Sequence, residues 1–188
     1  MLTVWARLVT AVENSVLWLN VANTTAIRNL TAELEARGVP ASRLVCAPFL
    51  ANLSDHLARL PLADLFLDTM PYNAHSTACD ALYAGVPVVT CPGQAFASRV
   101  ASSLLHAIGL PELIAASVED YEALALKLAT DPAQLRRIRE KLAANHGSYP
   151  LFDTARTCRH LEAAYRRMWD RHAQGLAPET FSAERLSD

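Results

Sequence analysis

Three features of the chain predict an α/β fold: a Rossmann-like, mainly parallel sheet with helices on both faces. Short apolar runs alternate with amphipathic stretches about every 20 to 25 residues, the rhythm of strand–helix–strand units. The runs are nearly continuous, as in Ser15–Val21, rather than apolar at every other position, which suits strands covered on both faces. Gly or Pro stands where helical patterns end, as at Gly38, Pro40, Gly85 and Pro87.

In order, Leu2–Val12 carries helical periodicity without a clear start signal, and Ser15–Val21 reads as a buried strand. Thr24–Arg37 is a helix stopped by Gly38 and Pro40, Arg43–Cys46 the second strand, and Asn52–Arg59 a short helix. Asp64–Asp68 is the third strand; it runs into a Pro71/Asn73 turn, then a helix that opens near Ser76-Thr77 and ends at Gly85. Pro87–Thr90 forms a fourth strand, Phe96–Ala107 a helix and Leu113–Ala115 a short edge strand. Helices over Val118–Ala129, Pro132–Asn145 and Thr154–Gln174 complete the pattern. The expected division is one lobe over residues 1–174 and a polar, frayed tail over 175–188. Because the first helix has no strand before it, the sheet starts as though mid-unit, as in a fragment of a two-lobed protein.

At 188 residues and 52% hydrophobic, the chain can bury one sizeable core. A formal charge of −2 offers no basis for nucleic acid or an anionic membrane as partner. The basic pairs Arg136-Arg137 and Arg166-Arg167 sit among acids, as on solvated helix faces. No apolar run reaches the roughly 18 residues that cross a bilayer, and Met1-Leu2-Thr3 does not open a signal peptide. Cys46, Cys79, Cys91 and Cys158 are scattered without a CxxC, which predicts reduced, mostly buried thiols and a cytoplasmic setting. The six histidines never pair at ligand spacing with Cys or His, so no metal site is expected. Walker, GxGxxG and GxSxG motifs are missing, which argues against phosphate-loop ATPases, dinucleotide oxidoreductases and serine hydrolases; no cofactor is expected.

Ligands of parallel sheets bind at the carboxyl ends of the strands. Three polar clusters fall there: Ala51–Arg59, Thr69–Asp80 and Thr90–Arg99. In the second, helix-start N–H groups with the Ser76 and Thr77 hydroxyls can hold a phosphate. His75 can donate to a diphosphate or a leaving oxygen, and Asp80 has the reach for ribose hydroxyls. Each has a plainer use: Ser76 or Thr77 as a helix cap, His75 as an exposed loop residue, Asp80 as a carboxylate facing the helix dipole. His56 and Arg59 share a face of the short helix and suit either a base or the bare surface. Pro92–Arg99 is a turn with one Gly, a weak signal for close approach to a sugar or phosphate.

Together, Asn14–Leu19, Leu65–Thr69, Asn73–Gly85, Pro87–Gly93, Ala97–Ala101 and Pro150–Thr154 resemble, in order and spacing, the C-terminal lobe of the O-linked N-acetylglucosamine transferase family, SPINDLY-type relatives included. The likeness runs from near Trp5 to near Gly175, and His75-Ser76-Thr77-x-x-Asp80 and Ala97-Ser98-Arg99-Val100-Ala101 are its most specific elements. It implies the C-terminal lobe of a GT-B glycosyltransferase. Such an enzyme is inverting and metal-independent, and moves N-acetylglucosamine from UDP-N-acetylglucosamine to Ser/Thr hydroxyls of protein acceptors. An N-terminal lobe and tetratricopeptide repeats are then expected upstream. The resemblance assigns uracil to the backbone at Ala51, the uridine side to His56 and Arg59, the diphosphate to His75, Ser76 and Thr77, and the ribose to Asp80. His75 also takes a catalytic role, steadying the leaving group, and favours UDP-N-acetylglucosamine over GDP-fucose because fucosyl-transferring relatives tend to carry a hydroxyl residue there. Two departures stand out. Leu53 replaces a nucleotide-contacting Lys, and the family's diphosphate-binding Lys falls upstream of Met1. The alternative is a non-catalytic nucleotide-sugar-binding or protein-interaction module.

Overall fold

The computed structural model describes residues 1–183; positions 184–188 of the expected tail lie outside the described residues. The elements are α1 (Leu2–Ala11), β1 (Leu17–Asn20), α2 (Thr24–Glu35), β2 (Leu44–Ala47), α3 (Leu53–Arg59), β3 (Phe66–Leu67), α4 (Ser76–Tyr83), β4 (Val88–Val89), α5 (Val100–Ala107), α6 (Val118–Thr130), α7 (Pro132–Asn145) and α8 (Thr154–Ala173). Strand pairing is parallel throughout: Leu17 faces Leu44 and Asn20 faces Ala47 in one pair, and Phe66 faces Val88 in the other. The fold is thus the expected Rossmann-like α/β lobe, rich in helix.

Four expectations need correction. The sheet is divided into two strand pairs, β1–β2 and β3–β4, and its strands are shorter than the apolar runs. The edge strand at Leu113–Ala115 shrinks to a single bridge between Thr90 and Ile114. Pro111–Leu113 forms a 3₁₀ turn on one side and Ser117 caps α6 on the other, which leaves almost no extended backbone between. The helix expected over Phe96–Ala107 is broken. Phe96–Ser98 is a 3₁₀ turn, Ser98 gives its carbonyl to the Gly93 N–H at 2.8 Å, and the α-helix restarts at Val100. Cys91 is buried, but Cys46 and Cys79 are half-buried and Cys158 is exposed; all four thiols are free. Cys158 escapes burial because it lies on α8, which has no buried residue.

Two apolar clusters meet at α1. Val4 and Leu8 pack with Leu82, Val88, Leu105 and Leu128, whereas Ala6 and Val9 pack with Leu17, Leu34 and Val39. Positions 4 and 8 share one helical face and 6 and 9 another, so a single helix belongs to both clusters. Each buried Leu or Val contributes roughly 1.5–3 kcal/mol relative to exposure. α6 lies against α1, where Arg7 Nε donates to Glu122 Oε1 at 2.7 Å and Arg7 Nη2 pairs with Oε2. Tyr121 of α6 is fully buried, and its hydroxyl donates to the Asp68 carbonyl at 2.9 Å. Beyond α8, residues 176–183 form no regular element but lie back on the helix. Arg171 Nη2 donates to the Ala177 carbonyl at 2.6 Å, and the Arg167 guanidinium sits 4.4 Å from the Phe181 ring centre.

Candidate functional site

Asp68, only 1% exposed, directly follows the last residue of β3. Asp68 Oδ1 accepts from the Thr69 N–H at 2.8 Å and the Ala74 N–H at 2.6 Å, and Oδ2 accepts from the Thr90 hydroxyl at 2.6 Å. Burial pushes its pKa up, opposed by the Ala74 N–H, the Thr90 hydroxyl, the Thr69 N–H and the nearby His75. One carboxylate therefore ties the loop of residues 69–75 to the end of β4. The loop holds itself as well. The Thr69 hydroxyl donates to the Tyr72 carbonyl at 2.6 Å, and the Asn73 side-chain amide to the Thr69 carbonyl at 3.0 Å. Asn73, fully buried, also donates its backbone N–H to the Ala97 carbonyl at 2.9 Å, which joins the loop to the turn before α5.

α4 begins where this loop ends. His75 occupies the capping position without a side-chain hydrogen bond into the helix, whereas Asn23, Asn52, Ser117, Asp131 and Asp153 do cap theirs. Ser76 and Thr77 are exposed first-turn residues and not caps, which sets the capping reading aside. A helix start left this way presents N–H groups and a positive dipole end outward. The His75 ring is half-buried and held: stacked on Tyr72 with centroids 4.9 Å apart and planes 17° apart, edge-on to Phe96 at 6.3 Å, its Nε2 3.4 Å from the Ala97 carbonyl. It is not a free loop side chain. Asp80, half-buried on α4, makes no side-chain hydrogen bond or ion pair among the described residues.

The first polar cluster follows β2. Arg59 Nη1 donates to the Pro48 carbonyl at 2.7 Å, Nη2 to His56 Nδ1 at 3.0 Å, and the guanidinium lies 5.9 Å from the Trp18 ring centre. Because guanidinium only donates, His56 Nδ1 is the acceptor in this pair. Ala51 is exposed just ahead of α3, whose cap is Asn52, and Leu53 is also exposed. So the structure brings His75, Ser76, Thr77 and Asp80 together with the turn of residues 93–99. Ala51, His56 and Arg59 form a separate group at the end of β2, and no hydrogen bond among the described residues ties it to the others.

Four residues that hold the site, Asp68, Tyr72, Asn73 and Thr90, lie in or beside the polar clusters that the sequence marks but were given no individual site role. A polar residue at the carboxyl end of each of two apolar runs, Asp68 and Thr90, was the signal available. Among the described residues no three His, Cys, Asp or Glu side chains gather as a metal-holding group, and no helix is long and apolar enough to cross a membrane.

A parallel α/β lobe with its polar loops at the carboxyl ends of the strands defines a Rossmann-like ligand-binding lobe. The family described as Glycosyl transferase family 41 matches residues 1–161, and the chain belongs to it. Arabidopsis thaliana has a relative described as a probable UDP-N-acetylglucosamine–peptide N-acetylglucosaminyltransferase SEC, 37% identical over 94% of this chain. The UDP-N-acetylglucosamine–peptide N-acetylglucosaminyltransferase of Caenorhabditis elegans is 35% identical over 93%. A solved structure, a mutant of the Thermobaculum terrenum O-GlcNAc transferase, superposes with a TM-score of 0.86 at 37% identity over 93% of the chain. The chain spans 18% and 15% of the two curated relatives and 34% of the solved one.

Proposed function

We propose that this chain is the donor-binding lobe of a protein O-glycosyltransferase that carries N-acetylglucosamine from UDP-N-acetylglucosamine to Ser/Thr hydroxyls. The observation that carries this reading is the start of α4: His75 at its cap makes no side-chain hydrogen bond into the helix, the Ser76 and Thr77 hydroxyls are exposed, His75 is held beside them, and Asp80 has no hydrogen-bond or ion-pair partner among the described residues. Such a start favours an anion. The names of the relatives supply UDP-N-acetylglucosamine as donor and peptide as acceptor.

In this reading His75, Ser76 and Thr77 take the diphosphate and Asp80 the ribose, with His56, Arg59 and the Ala51 backbone on the uridine side. The acceptor oxygen attacks the anomeric carbon from the face opposite the diphosphate, so configuration inverts. The bond to the β-phosphate oxygen breaks, and its electron pair leaves with UDP. Charge developing on that oxygen meets helix-start N–H groups, two hydroxyls and His75 in place of a metal ion. Acceptor contacts and the proton acceptor fall to a second lobe, with helical repeats upstream of it, and the setting is the cytoplasm. A titration of the ¹⁵N-labelled chain with UDP, UDP-N-acetylglucosamine and GDP tests the reading. UDP is expected to shift residues 51–59 and 75–80 and to bind more tightly than GDP. Shifts confined to α8 and the residues after it would refute the site.

A further inference from the structure

Tyr72 is 63% exposed, yet its backbone is among the best held in the site. The Thr69 hydroxyl donates to its carbonyl at 2.6 Å, and the next residue, Asn73, is bonded to the Ala97 carbonyl and fully buried. An aromatic ring that adds little to the core is therefore presented from a fixed point, and it lies nearly parallel to the His75 ring at 4.9 Å. Phe96, 83% exposed, meets the same imidazole edge-on at 6.3 Å. The Ala97 carbonyl is 3.4 Å from Nε2, which leaves Nδ1 as the nitrogen available to a ligand. The imidazole is thus confined on three sides, by two loops that Asn73 joins. We propose that Tyr72 is the positioning residue for His75: its ring stacks on the imidazole and holds it in the orientation that meets the donor diphosphate, with Phe96 closing the adjacent side.

The proposal rests on the donor-site reading above and adds a residue to it. A histidine without this support samples several rotamers, and only some of them face the α4 start; the stack removes the others before the ligand arrives. The loss from removing it matches an aromatic pair, about three- to tenfold in affinity. Only the ring is needed, so phenylalanine suffices in place of tyrosine.

The experiment is an NMR titration of this chain with UDP for the parent, Tyr72→Ala, Tyr72→Phe, His75→Ala and the double variant Tyr72→Ala/His75→Ala, with the His75 ring-proton shifts read before UDP is added. Tyr72→Ala is expected to move the ring protons downfield as the ring current is lost, and to weaken UDP about three- to tenfold. Tyr72→Phe should keep both at the parent values. In the His75→Ala background, removing Tyr72 should cost nothing further, because its effect passes through the imidazole. An equal loss in both backgrounds, or an unchanged affinity in Tyr72→Ala, overturns the positioning role while leaving the donor site standing. A parent chain whose α4 start does not respond to UDP overturns the donor-site reading, and the positioning role with it.

Discussion

A buried carboxylate that accepts three hydrogen bonds, with a main-chain carbonyl that accepts a fourth from Tyr121, makes Asp68 the residue on which the site's shape depends. Asp68→Ala strands two backbone N–H groups and the Thr90 hydroxyl, and should cost about 2–4 kcal/mol in urea unfolding. Asp68→Asn keeps an acceptor for the N–H groups and removes a buried charge, so its loss should stay below about 1.5 kcal/mol. The pH dependence has a definite sign. Burial raises the native pKa above the unfolded one, so the native state holds this proton longer. The parent's stability relative to Asp68→Asn should fall as pH rises from about 4, the ordinary carboxylate value, through the raised one, and not at lower pH where both states are protonated. Paired urea midpoints across that range measure it. Asp80 is the opposite case, a carboxylate with no hydrogen-bond or ion-pair partner among the described residues. Asp80→Asn should change stability by less than about 0.5 kcal/mol while weakening UDP; a large drop in melting temperature with unchanged UDP affinity would make it structural. His75, Ser76, Thr77 and Asp80 were legible in the sequence because six consecutive positions at one helix start contain them all. Asp68 and Tyr72 were not, because their partners come from elsewhere in the chain.

Among the elements, the turn before α5 shows how a weak local signal can hide a tight fit. Gly93 is one glycine in a turn, a weak signal by itself, yet a Cβ there would lie 2.6 Å from Ser98 Oγ and 2.9 Å from Ser98 Cβ. Ser98 is buried and its hydroxyl donates to the Ala95 carbonyl at 2.8 Å, so it has little room to yield. Gly93→Ala should therefore cost about 1–3 kcal/mol by thermal melting. It should also shift the amides of Asn73 and Ala74, because the turn carries the Ala97 carbonyl that Asn73 uses. If those amides stay at their parent positions, the turn absorbs the methyl without moving the loop. Apart from the start of α5, helix limits were read closely because caps and stops are local: Asn23, Asn52, Ser117, Asp131 and Asp153 each accept from their own first turn. The strands were overestimated because an apolar run records burial and not the length of the hydrogen-bonded ladder.

In the whole molecule, α1 couples the two apolar clusters, one around β1 and β2 and the other around β4, α5 and α6. Leu8→Ala should cost about 2–5 kcal/mol and lower the stability of both clusters together. Tryptophan fluorescence, with Trp5 packed on one cluster, and far-UV circular dichroism should then give coincident urea transitions; two separated transitions would show that the clusters unfold independently. The order and type of the elements, the parallel α/β class and the contiguous helix start at His75–Asp80 were determined by the sequence itself, since periodicity, caps and Gly/Pro stops act within a few residues. The division into two strand pairs, the loss of the last strand and the assembly of the site were decided only by tertiary structure. Asp68 reaches Thr90 across 22 positions and Tyr121 across 53, and no local pattern specifies which distant donor a buried carboxylate or carbonyl will find.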